Sequence, residues 1–446
     1  MAVNYTEALQ ILRKVAETRS QARRRPTERV PLLDAVGRSA AQHHVSPVTT
    51  PPKDTSAMDG YALSSAATVD ASPENPVIFV VKGTIAAGDK PIELANELED
   101  GALPCVEIMT GAQFPRSTSA MPFDACVKIE DTLCDGSSAP GSEFRSRKRI
   151  AVTRPLRPNA NRRLAGGDMH EGDVILPKGT VVCSRHVMAL ASVGITEVAV
   201  YRKLRVAIWS TGNELKEGFD GACSDTQILN SNGPYLTTAL KELGVDVDYN
   251  GILRDDANGL QSALSSFAEK AYDLVITTGA VSKGKFDFIV PALEESRASV
   301  HFHGVAIRPG HPVLFASTSR DTGTVPLFGL PGNPIATAAC FRFLVVPFLK
   351  HFLGQTYEKA EVAKLQQLNG SQDAFLSSPR HLDCFRHGFT RGDGYGGKIV
   401  ELSGNQSPAI ISQFSASNCW VHIPRGRPVE PREAVVYCYP HKPSLV

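Results

Sequence analysis

Residues 273–287 read Asp-Leu-Val-Ile-Thr-Thr-Gly-Ala-Val-Ser-Lys-Gly-Lys-Phe-Asp, and this stretch indicates the fold at the centre of the chain. Its apolar run, 274–276, is typical of a strand that is buried on both faces of a parallel sheet. The small residues that follow would offer N–H groups and hydroxyls to an anion at a helix N-terminus. Asp287 could hold a divalent metal beside that anion. An ordinary strand-to-helix turn also uses glycine and serine, so the stretch alone leaves both interpretations open.

The composition is that of a globular protein with several domains. At 446 residues, the chain is too long for one compact core, and we expect two to four domains. The 47 lysines and arginines nearly balance the 46 acidic residues, so no overall charge would attract nucleic acid or a membrane. The nine cysteines form no CxxC pair, which is typical of reduced thiols. No apolar run approaches the length of a membrane span, so we expect a cytoplasmic protein.

Apparent strands and helices alternate from Leu204 onward, and this alternation predicts a doubly wound parallel sheet. The apolar runs interpreted as strands are 205–209, 245–251, 274–276, 300–308 and 326–330. One stretch with helical spacing is opened by residues 230–234 and uses Leu236, Leu240 and Leu243 as its apolar face. Two others span 257–269 and 335–343.

Three polar loops follow strands of this predicted sheet, at 210–214, 277–284 and 330–334. Ligands of such sheets bind beyond the carboxyl ends of the strands, so loops in these positions should converge on one site. Their convergence favours a binding site over three unrelated turns. The candidate binding residues are Ser210, Thr211, Gly212, Thr278, Gly279, Ser282, Pro331, Gly332, Asn333 and Pro334.

The remaining chain is rich in short strands. Glycine-punctuated strands at 77–82, 107–109, 125–128 and 148–152 predict an inserted β-rich domain, and the pattern becomes β-like again after Phe352. We therefore predict a multidomain α/β plus β protein. Its domains are a discontinuous N-terminal linking domain (1–47 and 150–183), the inserted β-rich domain (48–149), the α/β domain (184–352) and a C-terminal β domain (353–446).

Two further patterns are interpreted as structural. Residues 392–397 match GxGxxG, but no βαβ strand precedes them and no helix follows, so we expect a hairpin tip. His301 and His303 share one face of a strand without an evident third metal ligand.

Asp59 is a functional candidate, because Gly60 would permit a backbone angle that aims its carboxylate, although a capped turn would look similar.

Five motifs spread along the chain resemble one family. They are Pro51-Pro52-x-Asp54-x-Ser56-Ala57-Met58-Asp59-Gly60-Tyr61-Ala62, Ile108-Met109-Thr110-Gly111-Ala112, Ser210-Thr211-Gly212-Asn213-Glu214, Thr277-Thr278-Gly279 and Leu330-Pro331-Gly332-Asn333-Pro334. Together they resemble the molybdopterin molybdenumtransferases, which are MoeA-like proteins that include the E-domains of the plant enzyme and of gephyrin.

This resemblance implies four domains, an elongated homodimer and a molybdopterin site in the α/β domain that faces loops of the partner's β domain. The implied reaction is insertion of molybdate into adenylylated molybdopterin, assisted by Mg²⁺, with release of AMP. A separate G-domain molybdopterin adenylyltransferase and molybdoenzyme acceptors are the implied protein partners.

The resemblance also implies roles for individual residues. The catalytic candidates are Asp59, Asp124, Glu214 and Asp287. Glu214 and Asp287 are expected near the metal, and Asp59 and Asp124 are expected to reach the site from the β domain. Thr110 joins the candidate substrate-binding residues. The candidates for binding molybdate, a tetrahedral dianion, are Arg308, His311, Ser412 and Arg380.

The chain departs from the family pattern at a few site positions. Lys285 stands where an acid is expected, Lys283 and Ala280 also differ, and the family usually has lysines in place of Arg308 and His311. These departures leave two alternatives to an active enzyme of the usual kind. One is a paralogue that binds or scaffolds molybdopterin without inserting metal, and the other is an enzyme for a different pterin or nucleotide.

Overall fold

The computed structural model describes residues 2–22, 25–98, 101–134, 149–218, 223–254, 272–281, 289–296, 298–318, 324–353, 355, 358–366, 381–426 and 435–441. Contacts divide the chain into two compact units. The first comprises Met1–Gln42, Lys178–Cys183 and Glu197–Val446, and the second comprises His43–Pro177 and Ser184–Thr196.

The first unit contains a six-stranded central sheet. Its strands are β1 (Arg205–Thr211), β2 (Asp246–Leu253), β3 (Leu274–Thr278), β4 (Ser299–His303), β5 (Leu314–Thr318) and β6 (Val325–Leu330). Their spatial order is β2-β1-β3-β6-β5-β4. The pairs among β2, β1, β3 and β6 are parallel, whereas β5 runs antiparallel to both β6 and β4.

The predicted α/β fold is confirmed, with two corrections to its strands. The predicted strand 300–308 is two strands, β4 and Ile307–Arg308, and the second belongs to another sheet. Gly304, at φ +96°, separates them in a conformation that favours glycine. Strand β5 was not predicted, and together with β4 it makes one side of the sheet antiparallel. The predicted helix 257–269 lies outside the described residues.

Helices cover the central sheet and complete its core. They are Tyr5–Ala22, Asn232–Glu242, Ile289–Glu295 and Pro334–Phe352, the last of which contains a π-helical turn at Phe341–Val345. Ala8, Leu12 and Ala16, at helical spacing, pack in the same apolar cluster as Phe328 and Phe348.

The helix Pro334–Phe352 is, among the described helices, long and apolar enough to cross a membrane. This corrects the expectation that no apolar stretch approaches that length. Because 89% of its apolar window is buried inside the protein, we interpret it as the central core helix of the first unit.

A second sheet of the first unit is formed mainly by the C-terminal part of the chain. Its strands, in spatial order, are Ile307–Arg308, Asp383–Gly392, Lys398–Leu402, Glu361–Leu365, Val435–Pro440 and Cys419–Ile423. Cys419–Ile423 also pairs with Asp383–Gly392, so five of the strands form a closed ring. The short helix Ile411–Ala416 precedes the strand Cys419–Ile423. The strand expected at 374–376 lies outside the described residues.

The first unit also pairs Thr27–Pro31 with Glu197–Tyr201 and contains the 3₁₀ turn Leu32–Ala35.

The second unit is rich in β-strands, as the pattern of short strands predicted, and its main sheet has six strands. Its strands, in spatial order, are Thr132–Cys134, Arg149–Val152, Val77–Ile85, Leu103–Ile108, Gly60–Leu63 and Ala125–Lys128. The unit also contains three separate two-stranded sheets: Thr55–Ser56 with Arg162–Arg163, His44–Val45 with Val174–Leu176, and Glu93–Leu94 with Arg116–Ser117. The helix Ser184–Ser192 and the 3₁₀ turns Ser65–Thr68 and Ile129–Asp131 complete this unit. The four-domain division stays a prediction.

Candidate active site

A pocket of about 730 Å³ lies at the carboxyl ends of β1, β3 and β6. The three loops that follow these parallel strands meet there, as their positions in the sequence predicted. The predicted residues that line it are Thr211, Gly212, Glu214, Thr278, Gly279, Pro331, Gly332, Asn333 and Pro334. Ser282 lies outside the described residues.

Gly279 allows two of these loops to approach each other closely. Its φ is +89°, and a Cβ atom there would lie 2.4 Å from the carbonyl oxygen of Thr211. The Gly279 N–H donates to the carbonyl of Leu330 at 2.9 Å, and the Thr211 hydroxyl donates to the carbonyl of Thr278 at 2.9 Å. Glycine is therefore required at this position by both the backbone angle and the available space.

The pocket wall offers hydrogen-bond donors to an anion. Two helices, Asn232–Glu242 and Pro334–Phe352, begin at residues that line the pocket, so the positive ends of their dipoles lie beside it. Thr278 is almost completely buried, and its hydroxyl has no hydrogen-bond partner among the described residues. A ligand oxygen would satisfy this hydroxyl.

Ser210 does not line the pocket, because it lies within β1 and not in the loop that follows this strand. It is fully buried, and its hydroxyl donates to Asn230 Oδ1 at 3.2 Å. Asn230, which lines the pocket, was not a predicted site residue. Its position at the end of a short strand, Ile228–Leu229, could not be recognised from two apolar residues.

Glu214 is an exposed carboxylate on the pocket wall. Its side chain folds back over the loop, so that Oε2 lies only 2.7 Å from the position that a Cβ atom at Gly212 would take. Asp287, the other expected metal ligand, lies outside the described residues. Within the described ranges, no three His, Cys, Asp or Glu side chains form a metal-binding group. A single carboxylate suits Mg²⁺ when water and substrate phosphates supply the other ligands.

A second pocket, of about 750 Å³, adjoins the first and shares Pro312, Pro331 and Asn333 with it. Arg308 and His311, two predicted molybdate-binding residues, line this second pocket. His311 donates through Nδ1 to the carbonyl of Val305 at 2.8 Å, so Nε2 is the ring nitrogen left for a ligand.

Arg386 also lines the second pocket and was missed in the sequence. Only 5% of it is exposed, and its Nε has no partner among the described residues. Burial lowers the pKa of Arg386, and the neighbouring positive charge of Arg308 lowers it further. The predicted Arg380 lies outside the described residues. The available signal for Arg386 was its position beside Phe385, within a strand that the sequence predicted.

Ser412 lies in the helix Ile411–Ala416 and lines neither pocket. Its side chain is exposed, and its carbonyl accepts a hydrogen bond from the Ser415 hydroxyl at 2.9 Å. A different serine, Ser407, lines the second pocket. Its position after an irregular turn could not be predicted from local sequence.

The candidate acids of the second unit have different surroundings. Asp59 Oδ1 accepts from the N–H of Thr110 at 2.6 Å and from its hydroxyl at 2.8 Å. These bonds hold the pKa of Asp59 below its usual range, while its other oxygen has no partner among the described residues. Asp124 uses both oxygens to accept from the N–H and hydroxyl of Ser65, each at 2.7 Å. This contact caps the turn Ser65–Thr68.

Comparisons with known proteins agree with these features. Residues 3–194 match the family described as "MoeA N-terminal region (domain I and II)", and residues 207–351 match "Probable molybdopterin binding domain". The molybdopterin molybdenumtransferase of Synechococcus elongatus is 32% identical over 400 residues, which cover 90% of this chain and 91% of the relative. That of Haemophilus influenzae is 31% identical over 403 residues, with 90% of each chain covered.

A solved structure supports the same assignment over nearly the whole chain. The molybdopterin biosynthesis MoeA protein from Pyrococcus horikoshii superposes with a TM-score of 0.73 at 28% identity, covering 99% of this chain and 100% of that one. The chain therefore belongs to the molybdopterin molybdenumtransferase family.

Proposed function

We propose that this protein inserts molybdate into adenylylated molybdopterin and releases AMP. The observation that carries the proposal is the convergence of three glycine-containing loops on one pocket that adjoins an arginine-lined pocket. One pocket suits the phosphates of the pterin substrate, and the other suits the oxyanion that supplies the metal.

The first pocket has the chemistry that a phosphorylated pterin requires. Two helix N-termini and the buried Thr278 hydroxyl offer donors to phosphate oxygens. The apolar side chains of Ile228 and Ile411 line the same pocket and offer surface to a flat ring. The combination of donors and apolar surface favours a ligand with both an anionic and an aromatic part.

The second pocket suits a tetrahedral dianion. Arg308 and Arg386 both line it, and neither forms an ion pair with a described acidic side chain. A buried, unpaired guanidinium is costly unless an anion accompanies it. We therefore propose that Arg308, Arg386 and His311 bind molybdate, with Ser407 as a hydroxyl donor in place of Ser412.

Glu214 is the described residue that would hold Mg²⁺, together with Asp287 as the family pattern implies. When bound, the ion would offset negative charge on the phosphoanhydride as AMP leaves. The loops at Gly279 and Gly332 would hold the pterin phosphate in place while an oxygen of water bonds to a phosphorus of the anhydride, the bridging P–O bond breaks and AMP leaves.

A homodimer is part of the proposal. Asp59 is exposed and keeps one carboxylate oxygen available, so we propose that it acts on the pocket of a second copy. Asp124 would have to release Ser65 before it could do the same. Light scattering should give twice the mass of one chain, and a monomer mass would remove this part of the proposal.

The decisive experiment supplies purified protein with adenylylated molybdopterin, Mg²⁺ and molybdate, and follows AMP and metal-loaded pterin. Release of AMP that depends on molybdate is the expected result. Tight pterin binding without AMP release would overturn the proposal in favour of a carrier or scaffold. If the protein turned over a different adenylylated pterin and not adenylylated molybdopterin, the assigned substrate would be wrong, although the protein would still be an enzyme. The adenylylated substrate itself requires a preceding adenylyl transfer, which a separate G-domain protein would perform.

A further inference from the structure

A hydrogen-bond network lies behind the first pocket and joins parts of the chain that are distant in sequence. Ser210 Oγ and the N–H of Gly233 each donate to Asn230 Oδ1 at 3.2 Å. Asn230 Nδ2 donates to the hydroxyl of Tyr249 at 2.6 Å and to Glu217 Oε1 at 3.1 Å. The Tyr249 hydroxyl in turn donates to Glu217 Oε1.

Chemistry determines the directions of the hydrogen bonds that Asn230 forms. Its amide oxygen accepts twice and its nitrogen donates twice, so its four hydrogen-bonding positions are used. The Tyr249 hydroxyl accepts from Asn230 and donates to Glu217, and the Ser210 hydroxyl interacts with it as well. The ring of Tyr249 packs on Gly233, where a Cβ atom would lie 2.7 Å from the ring. The network therefore fixes the orientation of the Asn230 amide.

The network holds a two-stranded ribbon, formed by Leu215–Lys216 and Ile228–Leu229, against the central sheet. Within the ribbon, the N–H of Ile228 donates to the carbonyl of Glu214 at 2.8 Å. Glu217 directly follows the first ribbon strand and Asn230 the second. Because the two strands are parallel, Glu217 and Asn230 lie at the same end of the ribbon, and both strands are tied there to Tyr249 on β2.

We infer that Glu217, Tyr249 and Asn230 form a latch that positions Glu214 at the first pocket. This inference rests on the proposed function, because it assigns the latch to the reaction in which Glu214 takes part. Tyr249 and Glu217 do not line the pocket, so they are positioning residues that act through the ribbon.

The test replaces Tyr249 by phenylalanine, which keeps the ring on Gly233 and removes the hydroxyl. We expect faster hydrogen exchange at the N–H groups of Ile228 and Asn230, which close the ribbon. We also expect roughly tenfold lower kcat for AMP release and a higher Mg²⁺ requirement, with a smaller change in KM for the pterin. Glu217→Gln keeps an acceptor oxygen and should give an intermediate effect.

The matched control is Tyr395→Phe, because Tyr395 is 96% exposed at a hairpin tip. Unchanged ribbon exchange in Tyr249→Phe would overturn the latch, whatever the activity. Faster exchange with unchanged kcat and Mg²⁺ requirement would overturn its positioning role. If the wild type released no AMP, the proposed function and the role of the latch in that reaction would both fail, while the exchange data would still decide whether the latch holds the ribbon.

Discussion

Arg308 and Arg386 reach one pocket from positions that are far apart in the chain. Arg308 ends a two-residue strand, and Arg386 lies on the neighbouring strand of the C-terminal sheet. A guanidinium group presents several N–H donors in a fixed, planar arrangement. An oxyanion between them would receive donors from two directions, which is the geometry that a tetrahedral dianion needs.

Replacing Arg386 by glutamine should weaken molybdate binding at least roughly tenfold, because a charge-assisted hydrogen bond contributes about 1.5–3 kcal/mol. Titration calorimetry with molybdate alone measures this directly. The control is Arg391→Gln on the same strand, where the exposed Arg391 pairs with Gln366 at 2.8 Å. Equal affinities in the wild type and Arg386→Gln would show that this arginine does not bind the anion.

A cationic side chain at position 311 should strengthen molybdate binding. His311 uses Nδ1 to donate to the carbonyl of Val305, so Nε2 is the ring nitrogen left for a ligand in the second pocket. His311→Lys should bind molybdate several-fold, on the order of tenfold, more tightly than His311→Gln, because a charge-assisted hydrogen bond is stronger than one from a neutral amide. Titration calorimetry with molybdate measures both variants, and equal affinities would contradict a role for this position.

At the scale of elements, the loops that follow the strands were the most predictable part of the site. In the loop after β3, Gly279 was recognised as a position where backbone and ligand approach. Outside the site, the strand 125–128 was predicted with the observed bounds. Both signals are local, because a strand's apolar pattern and a glycine's backbone freedom depend on neighbours in sequence.

Gly279→Ala should destabilise the protein by at least about 1–3 kcal/mol, because φ is +89° and the new methyl group would meet the Thr211 carbonyl. Gly332→Ala is the matched variant on the opposite loop. There the nearest atom to an added Cβ is 3.7 Å away and φ is not positive, so we expect near wild-type stability. Urea unfolding of both variants measures the difference, and equal losses would contradict the close approach at Gly279.

At the scale of the whole molecule, the buried His387 and the half-buried His441 should make folding stability depend on acid. Burial, together with nearby positive charge, lowers the pKa of each to about 4. In the unfolded chain, an imidazole binds a proton near pH 6.5. Stability from these groups is therefore fully present above pH 6.5 and is lost as the pH falls from 6.5 to 4.

For His387 alone, the free energy of unfolding should fall by about 2 kcal/mol between pH 7.5 and pH 5. His387→Gln should reduce this pH dependence, whereas His170→Gln, at an exposed position, should retain it. Urea unfolding at the two pH values is the measurement. Parallel pH profiles for His387→Gln and the wild type would show that the buried ring is not the cause.

The sequence by itself determined the family, the α/β and β architecture and the loops that form the first pocket. Alternating apolar runs and glycine-containing motifs are local features, so they can be read without knowing which segments meet. The motifs also cover both halves of the chain, which is why the resemblance to molybdopterin molybdenumtransferases was confirmed.

Only the tertiary structure decided which side chains share a site. Arg386 and Arg308 line the same pocket. Ser210 is buried and donates to Asn230, and both carboxylate oxygens of Asp124 accept hydrogen bonds from Ser65. The tertiary structure also made β4 and β5 antiparallel. These outcomes depend on contacts between segments that are distant in the chain, and no local pattern of residues encodes which distant partner a polar side chain will meet.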